Sequence, residues 1–292
     1  MKQKLFFSIT FTFLASLASS QTCLRSCGRI PLRYPFGIGE GCGDPQFQQF
    51  ICCNGDELTF KTHTGSYPIT NIDYTKQEIY ITDPSMSTCA CNQPSKGFGL
   101  DRNAPFDFTE DTIFTLLECS IDSSPIFRGG NNSSFPMCDQ QGSPICSYLY
   151  SCNAISLLNL PISTCCVYTP VDLGPSFEMD LQTLQCSSYS AFYSFNGQQS
   201  NPENWKYGIA LKYKINVYNY YPRFCKDCEK SDGICSYAAA SSSFFCNCPT
   251  GINTSSSCYY VQSYSNGFRV LPWLTGIFLV HILAWILRWV SL

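Results

Sequence analysis

Twenty cysteines lie between a positively charged, apolar N-terminal segment and an apolar C-terminal tail. An even number of cysteines on the exported side of a membrane reads as a disulfide framework rather than as catalytic thiols or a zinc site. The N-terminal segment has the parts of an export signal: Lys2 and Lys4, the apolar run Leu5 to Leu17, then Ala18 and Ser20 before Gln21. Residues 1–20 are therefore read as a signal peptide, and the mature protein as secreted or surface-held.

The tail, 270–292, is apolar apart from His281, Arg288 and a few small polar residues, and it carries Trp273, Trp285 and Trp289. That length can cross a bilayer core of about 30 Å, with tryptophans at the water interface. A spanning helix would put Arg288 near the far headgroups, where it can snorkel. A lipid-anchor signal instead needs a small-residue acceptor, a polar spacer and an apolar tail. Ser255, Ser256 and Ser257 supply acceptor and spacer, but cleavage there removes Cys258; Ser265, Asn266 and Gly267 keep it with almost no spacer. Both anchors stay open, with the helix preferred.

Between signal and tail the class expected is mainly β. Tyr207, Ile209, Leu211, Tyr213, Ile215 and Val217 alternate with smaller or polar residues, which predicts one long strand. Ile79 and Ile81 flank Tyr80 in the same way, and Ile113, Thr115, Leu117 and Cys119 repeat the pattern. Proline and glycine punctuate the intervals, so long helices are not expected. Charged residues make up 13% of the chain and aromatics 15%. Stability must then come from aromatic packing and from crosslinks worth about 2–4 kcal/mol each.

The cysteines divide the ectodomain into a cysteine-rich part at 21–119, a β-rich middle region at 120–222 and a second cysteine-rich part at 223–260. The first holds Cys23, Cys27, Cys42, Cys52, Cys53, Cys89, Cys91 and Cys119; the second Cys138, Cys146, Cys152, Cys165, Cys166 and Cys186; the third Cys225, Cys228, Cys235, Cys246, Cys248 and Cys258. All twenty are expected in disulfides. The adjacent pairs Cys52–Cys53 and Cys165–Cys166 point to opposite faces of an extended segment and should each tie it to two places. Asn131, Asn132 and Asn253 head glycan acceptor triplets.

The stretch Cys23-Leu-Arg-Ser-Cys27-Gly28-Arg29-Ile30-Pro31-Leu32-Arg33-Tyr34-Pro35-Phe36-Gly37-Ile38, with Gly41-Cys42-Gly43 after it, resembles the galacturonan-binding extracellular domain of plant wall-associated receptor kinases. Phe47, Phe50 and Cys52 resemble that family's next strand in a slightly shifted register. Phe224-Cys225-Lys-Asp-Cys228, Gly233-Ile-Cys235 and Cys246-Asn-Cys248-Pro resemble its C-terminal associated domain, an EGF-like cysteine cluster, and Trp205-Lys-Tyr207-Gly208 resembles the lead into its last strand. The resemblance implies a receptor-like binder of cell-wall pectin. Kinase motifs are not seen in the 292 residues: no Gly-rich loop, no His-Arg-Asp, no Asp-Phe-Gly.

A galacturonan is a run of carboxylates on flat rings, so its binder needs cations, and arginine meets a carboxylate with two parallel hydrogen bonds. Arg25, Arg29 and Arg33 recur every four residues beside Tyr34, and an extended segment would set them on one side. These four are the candidate ligand-binding residues, with oligogalacturonide as ligand and a kinase-bearing co-receptor as a further partner. The formal net charge of −3 gives no basic field for nucleic acid.

The rival classes are a scaffold that binds another receptor's ectodomain and an enzyme. A nucleophilic triad would rest on His63 alone, and a glycosidase on acids such as Asp107, Glu110, Asp111 and Glu118. Asp227, Glu229 and Asp232 offer calcium hard oxygens but no EF-hand pattern, so no metal or cofactor is assigned. The function expected is non-catalytic polysaccharide binding at the outer face of the plasma membrane.

Overall fold

The computed structural model describes residues 23–127, 137–138, 142–156, 164–168, 178–215, 221–238 and 243–259. The expected signal peptide, the 270–292 tail, Asn131 and Asn132 lie outside them. Among the described residues no helix is long and apolar enough to cross a membrane.

The chain opens with a small hairpin, β1 (Ser26–Cys27) and β2 (Ile30–Pro31). A meander follows: β3 (Ile51–Asn54), β4 (Glu57–Thr62), β5 (Gly65–Asp73) and β6 (Glu78–Ile81). Then come β7 (Gly97–Gly99), β8 (Phe106–Phe108), β9 (Ile113–Cys119) and β10 (Met137–Cys138). Two short helices, α1 (Pro144–Leu149) and α2 (Asn153–Ser156), precede β11 (Cys166–Tyr168) and β12 (Glu178–Asp180). A turn of helix, α3 (Leu181–Leu184), leads into β13 (Cys186–Ser194), β14 (Lys206–Tyr207) and β15 (Ile209–Tyr213). The last unit is α4 (Tyr221–Lys230), β16 (Ile234–Ala238), β17 (Ser243–Asn247) and β18 (Asn253–Thr254).

The main sheet has the order β3-β4-β5-β6-β15-β8, and a second runs β10-β11-β9-β13-β14. Strands of the stretch 120–222 join both sheets: β15 inserts between β6 and β8 of the first region, and β13 pairs along β9. Ile79 and Ile81 of β6 are fully buried, as their alternation predicted. On β9, Phe114 and Leu116 face the main core while Leu117 faces a second one with Leu149, Ile155 and Trp205, so this strand is apolar on both sides.

The long strand expected over 207–217 is broken instead. β14 pairs with β13, and after Gly208 the chain passes to the other sheet as β15. Gly208 sits at φ +136°, and a Cβ there would stand 2.6 Å from the Ile81 carbonyl oxygen. A side-chain pattern of period two cannot register such a crossing, because the alternation continues through the switch.

Nine disulfides link Cys23–Cys42, Cys27–Cys53, Cys89–Cys152, Cys119–Cys186, Cys138–Cys166, Cys146–Cys165, Cys225–Cys235, Cys228–Cys246 and Cys248–Cys258. Cys165 and Cys166 reach two different places, as adjacency on a strand requires. Cys52 and Cys91 are free, which corrects the expectation for both. On β3, Cys53 meets Cys27 of the opening hairpin, and its neighbour Cys52 alternates to the other face without a cysteine to join. Cys91 closes a tight turn with Thr88 and stays exposed, whereas Cys89, two residues earlier, reaches Cys152.

Candidate functional site

The opening hairpin places the candidate arginines. Cys27 pairs with Ile30 in the register of β1 on β2, so the chain turns back at Gly28-Arg29. Gly28 lies at φ +55°, and a Cβ there would come within 2.2 Å of the Asp56 carbonyl oxygen. Arg29 consequently sits at the hairpin tip, and only Arg25 and Arg33, at the two open ends, come to one side. The three arginines are not in line because the segment is a turn rather than an extended strand.

Arg25 and Arg33 line a cleft of about 560 Å³ whose other wall is α4 and the loop after it. That wall brings Lys226, Glu229, Lys230 and Asp232. Residues three and four apart share one face of a helix. Lys226, Glu229 and Lys230 therefore look into the cleft while Cys225 and Cys228 are buried in the disulfide cluster. The four cations are exposed, and none of them forms an ion pair among the described residues. Arg25 donates to the Asp232 carbonyl oxygen at 2.8 Å. The Arg33 guanidinium lies 5.9 Å from the centre of the Tyr74 ring.

Tyr34 ties the two walls together. Its backbone N–H donates to Glu229 Oε1 at 2.8 Å, and its hydroxyl donates to Asp44 at 2.9 Å. Tyr74 donates to the Pro31 carbonyl oxygen at 2.9 Å and accepts from the Arg33 N–H at 3.0 Å, and burial pushes its phenol up to about 12. Burial also raises the Glu229 carboxyl, against the lowering effects of the Tyr34 N–H and Arg33.

The Gly41-Cys42-Gly43 turn docks the two walls. The Gly43 N–H donates to the Cys235 carbonyl oxygen at 3.1 Å, the Tyr237 N–H donates to the Gly41 carbonyl oxygen at 2.6 Å, and Cys42 bridges to Ser236. A Cβ on Gly41, at φ +75°, would stand 2.5 Å from the Tyr237 carbonyl oxygen. Backbone lies on backbone here, so the motif that carries the resemblance is the seam on which the cleft is built.

Sequence reasoning did not single out Lys226 and Lys230, and it considered Glu229 only for calcium. The readable signal was two lysines four apart within Lys226-Asp-Cys-Glu-Lys230, which a helix places on one face. The possible metal clusters, Cys246–Cys248–Cys258 and Cys225–Glu229–Cys235, draw on cysteines already in disulfides, which have no thiolate to give. Asn253 is exposed on β18.

The acids considered for glycosidase chemistry are dispersed. Asp107 on β8 pairs with Lys214, and Glu118 lies near the end of β9 in the other sheet. Glu110 and Asp111 rim a second cleft, of about 580 Å³, with Tyr193, Phe195, Asn196 and Gln199 and no cation in its lining.

His63 lies between β4 and β5, its Nδ1 2.5 Å from Asp101 and its Nε2 3.5 Å from Glu178. Only the imidazolium can donate from both nitrogens. The hydrogen bond to Asp101 raises its pKa above the ordinary 6.5 despite partial burial. A raised pKa adds stability that is fully present below about pH 6.5 and is lost as pH rises through the folded value. The pair is exposed and worth at most about 1 kcal/mol. Thermal melts at about pH 5.5 and 8 should show the wild type losing about 2 °C more than His63→Gln on going alkaline. Parallel melts would remove this role.

Fold and cleft together define a disulfide-crosslinked β protein with a groove between two modules in which four cations outnumber two carboxylates, Glu229 and Asp232. The family described as wall-associated receptor kinase galacturonan-binding matches residues 23–83. The family described as wall-associated receptor kinase C-terminal matches residues 176–251, taking in β12 to β15 and five of the six cysteines of the C-terminal cluster. The chain thus carries, at 23–83 and 176–251, segments similar to the galacturonan-binding and C-terminal regions of wall-associated receptor kinases, a likeness that implies the cell exterior or surface.

Among curated proteins, wall-associated receptor kinase-like 15 of Arabidopsis thaliana is 24% identical over 196 residues, 65% of this chain and 29% of that protein. Wall-associated receptor kinase-like 10 of the same plant is 27% identical over 180 residues, 52% of this chain and 23% of that protein. A protein named as a RING-H2 finger protein, ATL21B, also of Arabidopsis thaliana, is 32% identical over 125 residues, 39% of this chain and 32% of that protein. The chain therefore spans less than a third of the length of these relatives. No solved structure matches it.

Proposed function

We propose that this protein is a non-catalytic, cell-surface binder of galacturonan, and that the cleft between the opening hairpin and α4 is where the polysaccharide lies. The observation that carries this reading is the gathering of Arg25, Arg33, Lys226 and Lys230, all without ion-pair partners among the described residues, in one groove of a chain similar to the galacturonan-binding family. A polyuronate supplies carboxylates in series, and a charge-assisted hydrogen bond to each is worth about 1.5–3 kcal/mol. The second cleft has acids and no cation, which suits no polyanion. The 270–292 tail would hold the ectodomain at the membrane by helix or lipid, and a kinase-bearing partner would supply intracellular output.

Retention of the secreted ectodomain on immobilised polygalacturonate tests this. Replacing Arg25, Arg33, Lys226 and Lys230 together by alanine should weaken binding at least about tenfold at low salt, with a smaller difference as salt screens the wild type. Arg29→Ala, at the hairpin tip, should bind as the wild type does. Equal retention of the fourfold variant would end the proposal, and shortened oligogalacturonides after incubation would make the protein an enzyme.

A further inference from the structure

The second cleft, of about 580 Å³, falls within the size range of small-ligand sites, about 300–1,000 Å³, and both of its walls are held from behind. One wall is the turn between β8 and β9, with Glu110 and Asp111 at its tip. Thr109 and Thr112 flank them, both buried, their hydroxyls 3.0 Å apart and each within hydrogen-bond reach of the Ala210 carbonyl oxygen on β15. The other wall is the turn after β13, where Asn196 at φ +51° and Gly197 at φ +75° reverse the chain. The Trp205 indole N–H fixes that turn, shared between the carbonyl oxygens of Gln198 at 3.1 Å and Gln199 at 3.2 Å. Between the walls lie two partly exposed rings, each braced by another: Tyr193 by Tyr80 at 4.8 Å and Phe195 by Trp205 at 5.1 Å.

The polar groups that line this cleft are unspent. The side chains of Glu110, Asp111, Asn196 and Gln199 and the Tyr193 hydroxyl have no hydrogen bond or ion pair among the described residues. Carboxylates only accept, amides donate as well as accept, and ring faces are apolar plates, so an occupant has to suit all three. A polyuronate meets two carboxylates and no cation in this lining, and is repelled. A lysine or arginine side chain satisfies the acids and the rings but accepts nothing, which leaves the amide N–H groups idle. An uncharged sugar uses every group: its hydroxyls donate to carboxylates in short charge-assisted bonds and accept from amides, while its C–H face lies on a ring. We propose that this cleft is a second carbohydrate site, taking an uncharged sugar residue of a polysaccharide. Glu110 and Asp111 accept from its hydroxyls, Asn196 and Gln199 donate to them, and Tyr193 and Phe195 supply the stacking faces. The site stands apart from the galacturonan reading, because none of its residues lines the groove at the opening hairpin.

Calorimetric titration of the secreted chain with neutral tetrasaccharides of galactose, arabinose, xylose and glucose tests this, with tetralysine as the charged comparison. At least one of the four sugars should bind, and replacing Glu110 and Asp111 together by alanine should weaken it at least about tenfold, since two charge-assisted hydrogen bonds are lost. Gln199→Ala, which removes one neutral hydrogen bond, should weaken it about threefold. All three positions are exposed, so these variants should melt as the wild type does. Replacing Arg25, Arg33, Lys226 and Lys230 by alanine should leave the neutral sugar bound as before, which separates this site from the galacturonan groove. Binding of no neutral tetrasaccharide at up to about 10 mM, or equal binding by the wild type and the acid variant, overturns the inference and leaves galacturonan binding untouched. Tetralysine bound in place of any sugar, and released by loss of the two acids, would give the cleft to a basic peptide instead. Should the acid variant not fold, Gln199→Ala decides, because an unchanged affinity there excludes the cleft as the sugar's site.

Discussion

Phe106→Ala should lower the stability of the ectodomain by about 4 kcal/mol, a large part of the whole for a domain of ordinary stability. Phe106 is 1% exposed on β8, where it pairs with Tyr213 of β15. Its ring meets Phe60 at 4.9 Å and Phe47 at 5.4 Å edge-on, Phe50 at 5.8 Å edge-on and Phe36 at 6.5 Å stacked. These four come from the segment after the opening hairpin and from the meander, so one side chain joins the motif-bearing segment to the main sheet. The stiff disulfide framework around it limits collapse into the cavity, and relaxation is what makes such losses small. Urea unfolding of wild type and variant measures the difference, with Phe224→Ala as a control. Phe224 is 40% exposed, and its loss should cost about 0.5 kcal/mol or less. A loss below about 1 kcal/mol for Phe106→Ala would show that this cluster does not hold the sheet to the hairpin.

Features set by local chemistry were legible in the chain. Ile79 and Ile81 are buried on β6 as alternation requires, and Cys165 and Cys166 diverge to separate partners as neighbours on a strand must. What failed was set by distant contacts. Gly208 passes the chain between two sheets without disturbing the pattern that predicted one strand, because both halves need the same alternation. The three arginines shared a spacing, but Gly28 turns the chain between them, and a glycine marks a possible turn without stating that one forms. Counting cysteines assumed that an even total pairs completely, yet Cys52 and Cys91 find no partner where the strand and turn place them. The cleft was the least readable feature, since Tyr34 and Glu229 are 195 residues apart in the chain. Only the resemblance pointed to the two segments that line it, and it gave no sign that the Gly41-Cys42-Gly43 turn is where they dock.

That docking makes the last large effect a coupled one. Replacing Cys228 and Cys246 together by alanine should remove about 2–5 kcal/mol from the C-terminal module and take galacturonan binding down with it. The buried core of this module consists of six cysteines, with Tyr34 and Phe244 packed at its edge. Gly233 runs directly over the sulfurs, since a Cβ there would lie 2.3 Å from Cys246 Sγ and 2.6 Å from Cys228 Sγ. A unit this small cannot bury enough apolar surface to order its chain without crosslinks. Cys228 anchors α4 to β17, so its loss frees the wall that presents Lys226, Glu229 and Lys230. Hydrogen exchange should show protection lost over 221–238 and 243–247 and kept in β4 to β6, whose apolar core lies apart from these bridges. Retention on polygalacturonate should fall at least about tenfold, as for removal of the cleft cations themselves. Intact protection with lost binding would assign the disulfide a contact with the ligand; lost protection with intact binding would move the galacturonan site wholly onto the N-terminal module.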